Sequence, residues 1–157
     1  MLLLPFFEWC EELALGEVIR NSLWLFPVIE AFHLMGLAVI GGAVLLVDLR
    51  LLGLGLKGHP VSQLSRDAQP WLLGSLAVML VSGIPLFLSE AVKCYYSMAF
   101  WVKITSLLLV LVFTFTVRRR VALEATSIPA LEGKIAALVS LALWAGVGWG
   151  GRWIGYS

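Results

Sequence analysis

Glu30 and His33 stand three residues apart in FPVIEAFHLMG, among Phe, Val, Ile, Leu and Met. On a helix that spacing puts a carboxylate and an imidazole on one face. Such a pair can carry protons, ligate a metal or balance a charge. A third ionisable residue in apolar surroundings is Lys103, in FWVKI. Which chemistry applies depends on the elements that position these side chains, and first on whether those elements lie in lipid.

Composition places them in lipid. Of the 157 residues, 61% are hydrophobic and 13% charged, with mean hydropathy +0.96; a soluble domain carries charge at about a quarter of its positions. At about 20 apolar residues per span, the chain has room for four or five spans and no separate soluble domain. The net charge of +1 gives no footing for a nucleic-acid partner. Cys10 and Cys94 share no CxxC spacing and do not read as a metal or disulfide framework. MLLLPFF lacks the basic start and the length of a signal peptide and reads as mature protein.

The pattern predicts an all-α fold: an integral membrane four-helix bundle, one transmembrane domain over 1–157, preceded by an interfacial amphipathic helix over 5–20. The expected spans are 22–47, 70–89, 95–117 and 131–151. Pro70 is expected to open the second and Pro85 to kink it, Arg118, Arg119 and Arg120 to stop the third, and Lys134 to snorkel from the fourth. Arg50, Lys57, Arg66, Arg118, Arg119, Arg120 and Lys134 fall on one side, against Arg20, Lys93 and Arg152 on the other. The positive-inside rule then puts both termini in the periplasm, with Trp24, Trp101, Trp149 and Trp153 at the outer interface and Trp71 at the inner one. Small residues at Ala142, Gly146 and Gly150, and at Ala38 and Gly42, read as helix-packing stripes.

On a rise of 1.5 Å per residue, Glu30 lies roughly 12 Å and His33 roughly 16 Å below the outer end of the first span, with the Lys103 Cα at roughly 8 to 12 Å. An outer-leaflet cluster of the three is therefore geometrically open. Four readings fit it. Glu30 and Lys103 neutralise each other in a structural polar knot; His33 is an axial ligand to haem; the cluster is a proton or quinone site; or Glu30 and His33 form half of a di-iron Glu-x-x-His set. The last lacks its second motif and two further glutamates. His59, in LKGHPVSQ, falls on the opposite side and cannot join His33 within one chain, which leaves Lys103, Met79, Met98 or a second subunit as another axial ligand, or an open position. No Met- or His-rich cluster supports copper handling. Pro27 is expected to bend the first span just above Glu30, Gly83 to let a flat macrocycle approach, and Arg20 and Arg152 to pair with propionates.

The series SLWLFPVIEAFHLMG, VDLRLLG, PW, SGIPLF, FWVKI and GRWIGY resembles, nearly end to end, an uncharacterised family of small bacterial inner-membrane proteins. More distantly, the first three spans resemble the HemJ-type membrane protoporphyrinogen oxidases and the CopD-type membrane domain. In the HemJ-type family a histidine on an early span and a lysine in a Trp-x-x-Lys-like span are the essential polar residues and haem b is bound. The resemblance puts those roles on His33 and Lys103, with Arg50 and Leu51 matching the Arg-Leu that closes the histidine helix. VLLVD replaces the aromatic and proline residues expected there, and Glu30 is outside the pattern. The resemblance thus implies haem b in a bacterial inner membrane more than it implies the oxidase reaction. The expected role is electron transfer or membrane anchoring, among lipid and a redox or structural membrane-protein partner, as a homo- or hetero-oligomer. The rival is a non-catalytic subunit or assembly factor.

Overall fold

A backbone in hydrocarbon has no water to bond, and a helix satisfies its polar groups internally. The computed structural model describes residues 3–55 and 58–155, and these are all-α. Lys57, counted above among the basic loops, lies outside the described residues. Helices α1 (Leu4–Glu11) and α2 (Ala14–Arg20) precede the bundle, where a single interfacial helix was expected. Four helices are long and apolar enough to cross a membrane: α3 (Leu25–Leu51), α4 (Val61–Ser89), α6 (Met98–Leu123) and α7 (Ala130–Ile154). The chain is a multi-pass membrane protein. A short α5 (Ala91–Tyr96) joins α4 to α6.

The helix ends follow local rules. The Ser22 hydroxyl accepts from the Trp24 and Leu25 amides at the entry to α3. Pro27 then falls in the first turn, where a missing N–H leaves no bond broken, and Val28 N–H reaches the Trp24 carbonyl at 3.1 Å. The bend expected above Glu30 has no cause there. At the other end, Gly53 at φ 81° lets its own N–H reach the Arg50 carbonyl and the Leu54 N–H reach that of Leu49, a Schellman closure. Helix α4 starts at Val61, well before the expected boundary, and Pro70 lies inside it. The reason is that hydropathy marks the membrane, whereas the helix continues beyond it through VSQLSRDAQ.

Helix α6 also outruns its expectation and carries a π-helical stretch, Thr114–Arg118. Val110, Thr114, Arg118 and Ala122 are all buried, at a spacing of four. Over twelve residues that spacing would swing about 120° around an α-helix of 3.6 residues per turn. The wider i→i+5 turn takes up part of the drift and keeps these side chains on the core.

Helix α3 packs most extensively on α4, α6 on α7, and α3 also meets α7. The core comprises Ile40, Val44, Val47 and Leu51 of α3 with Ala68 and Leu72 of α4, Ala122 of α6 and Ala137 of α7. A second cluster ties the N-terminal helices to the α4–α5 corner: Phe7 meets Phe87 and Tyr95 edge-on at 5.4 and 5.2 Å, beside Cys10 and Cys94. Of the two small-residue stripes, Gly146 and Gly150 face α6, where an added Cβ would meet Ser106 Oγ at 2.7 Å and the Ala99 carbonyl at 2.9 Å. Ala38 and Gly42 face outward; Gly36 is the glycine of α3 that seats against α4, beside Met79, Val78 and Ser75.

Candidate functional site: a fixed histidine and a buried ion pair

His33 is half-buried in the seam between α3 and α4. Its Nδ1 lies 2.9 Å from Ser82 Oγ. The Ser82 hydroxyl gives its one proton to the Val78 carbonyl at 2.6 Å, so towards the imidazole it must accept. In that arrangement the ring donates from Nδ1 and keeps its lone pair on Nε2, and the backbone of Met79 also lies within hydrogen-bonding reach of the imidazole. The ring sits on Gly83: a Cβ there would lie 3.1 Å from His33 Cε1. The gap that Gly83 leaves is filled by the imidazole itself.

Lys103 is half-buried on α6 with its stem along α7, its Nζ 3.7 Å from where a Cβ of Gly151 would be. It forms no ion pair or hydrogen bond among the described residues, and its charge reaches both His33 and Cys94. Glu30 is on the exposed side of α3 and is not paired with Lys103 among those residues. Arg152 is exposed at the same end of the bundle, next to Gly151. Arg20 contacts Glu11 at 3.3 Å and donates to the Ser89 carbonyl at 3.1 Å, while Glu11 Oε2 accepts from the Val92 amide. It ties α1 and α2 to the α4–α5 corner. Burial and the carboxylate of Glu90 push the Cys94 thiol up to about 11, against the opposing charges of Lys103 and Lys93.

At the opposite end the structure brings together residues that sequence reasoning passed over. Arg118 Nε donates to Asp48 Oδ1 at 2.6 Å and Nη2 to the Val44 carbonyl at 3.2 Å, with side-chain exposures of 5% for Arg118 and 0% for Asp48. Arg118 was expected to stop the third span at the membrane surface; its guanidinium instead turns into the core because a carboxylate waits there. Thr114 Oγ1 and Trp144 Nε1 are buried with no hydrogen-bond partner among the described residues, and the buried Ser140 hydroxyl lies beside the Asp48 carboxylate. One available signal was that an acidic and a basic residue close the first and third spans on the same side.

Among the described residues, no group of three or more His, Cys, Asp and Glu side chains could hold a metal ion. What His33 offers is a single nitrogen ligand or proton acceptor. The profile of a family of unknown function (DUF6644) matches residues 6–157. No curated protein and no solved structure matches the chain.

Proposed function

We propose, on the premise that this chain belongs to the DUF6644 family and that the family has no assigned activity, that it binds a b-type haem through His33, in electron transfer or as a membrane anchor. The observation that supports this reading is the His33 ring, oriented by Ser82 through Nδ1 and left with a lone pair on Nε2. Metal-binding histidines are commonly held this way through their other nitrogen. Gly83 seats the ligand ring, and Lys103, whose charge reaches His33, is the candidate for a second ligand or for charge balance. Arg20 and Arg152 are the cations proposed for the propionates; Arg20 also holds Glu11 and the Ser89 carbonyl. Haem would supply one-electron exchange; the chain's own part is to orient the imidazole and keep its tautomer.

The proposed setting is a bacterial inner membrane with both termini periplasmic, supported by the arginines gathered at the ends of α3, α6 and the start of α4. A reporter fused after Ser157 should then read as periplasmic and one between Arg120 and Glu132 as cytoplasmic. For the cofactor, protein purified in detergent should show a Soret band and sharp reduced α and β bands. His33→Ala should lose them while still accumulating in the membrane. Unchanged haem in that variant, or no haem in the native protein, would defeat the reading.

A second reading rests on Glu30. A carboxylate on the exposed side of a span costs about 2.5 to 3.5 kcal/mol in lipid, and another helix can remove that cost. This favours an oligomer or a structural subunit of a larger membrane complex. A proton- or quinone-linked role uses the same Nε2 lone pair and would appear as a His33-dependent activity without a Soret band.

A further inference from the structure

Between α3, α4 and the π-helical stretch lies a cavity open on one side, with polar lining from Ser65, Gln69, Thr114, Arg118 and Arg119. Its deeper wall is apolar, including Val47 and Leu72. The three arginines in a row are not equivalent. Arg118 is neutralised by Asp48, and Arg120 pairs with Glu124 at 3.4 Å. Arg119 lines the cavity, is exposed, and has no partner among the described residues. Behind it, Thr114 Oγ1 is buried and has no hydrogen-bond partner among the described residues. The cavity therefore has one unbalanced positive charge at its mouth, an amide and a hydroxyl beside it, and a polar atom left over within.

We infer that this cavity is a binding site for the phosphate of an anionic phospholipid. Its volume of about 30 Å³ decides how. That is room for a water molecule, not a headgroup. The phosphate therefore stays at the mouth, against Arg119, Ser65 and Gln69, with a water behind it able to reach Thr114 Oγ1. A lipid is favoured over a free anion because the site lies towards the ends of the apolar runs of α3 and α6, and its apolar wall offers contact that only an acyl chain can use. Basic pockets between spanning helices suit such headgroups.

The test uses whole protein in neutral detergent, comparing phosphatidylglycerol, phosphatidylcholine and inorganic phosphate by thermal shift and by lipid retention in native mass spectrometry. Phosphatidylglycerol should stabilise the native protein more than phosphatidylcholine does. Arg119→Gln should weaken its retention about fivefold, on the value of one basic side chain near an anionic lipid. Arg120→Gln, which removes the same charge one residue away, should retain it. Equal losses in the two variants would mean diffuse attraction and overturn the site. So would equal stabilisation by both lipids, or the same shift from inorganic phosphate alone. Arg119 is exposed, so both variants should fold, which equal melting in phosphatidylcholine verifies.

Discussion

Asp48 and Arg118, separated by 70 residues in sequence, meet at 2.6 Å inside the bundle, joining α3 to the π-helical turn of α6. Neither helix could bury its charge alone. Removing one partner of a buried pair costs about 3 to 5 kcal/mol in soluble proteins, while removing both can be neutral. Asp48→Asn and Arg118→Met should each lower thermal stability in detergent more than the double substitution does. Additive losses in the double-mutant cycle would mean that the two side chains do not act as a pair.

The tautomer of His33 depends on Ser82. Nitrogen-15 NMR of labelled histidine should find the neutral ring protonated on Nδ1 in the native protein. In Ser82→Ala the acceptor is gone, and a mixture of tautomers should appear. An unchanged Nδ1–H signal in that variant would assign the orientation to another group.

Gly150 and Gly148 differ by half a turn and should differ sharply in tolerance. A Cβ at 150 would lie 2.9 Å from both the Ala99 carbonyl oxygen and Lys103 Cβ, whereas one at 148 meets nothing within 4 Å. Gly150→Val should therefore destabilise by about 1 to 3 kcal/mol, the usual cost of overpacking. Gly148→Ala should be close to neutral or slightly stabilising. Equal melting temperatures would contradict the α6–α7 contact.

The thiol of Cys94 is raised to about 11, so at pH 8 only about one in a thousand molecules carries a thiolate. Alkylation by a small maleimide should be slow at pH 7 and rise about tenfold per pH unit until the pH nears that value. Glu90→Gln removes one of the causes and should speed the reaction at fixed pH. A rate that levels off near pH 9 would show an unperturbed thiol.

Much of the architecture was legible because lipid imposes a coarse rule: long apolar runs must be helices. Glu30, His33 and Lys103 stood out for the same reason, as charges or imidazole in the wrong solvent. What failed were inferences that needed phase or depth. Pro70 looked like a helix start because the polar residues before it belong to the interface, yet the helix runs through them. Arg118 looked like a stop signal because hydropathy scores each charge singly and cannot see Asp48 on another helix. The hydrogen bond between His33 and Ser82 was equally hidden, since it depends on the rotation of α3 against α4.

The clasp of Arg20 and Glu11 on the α4–α5 corner also sets an order of assembly. Arg20 waits for the carbonyl of Ser89, 69 residues later, and Glu11 for the amide of Val92, 81 residues later. At synthesis rates of 5 to 20 residues per second, the shorter separation alone corresponds to a delay of about 3 to 14 s. The N-terminal helices therefore emerge first and dock late, and until the second span is in place their acidic face has only water and headgroups for company.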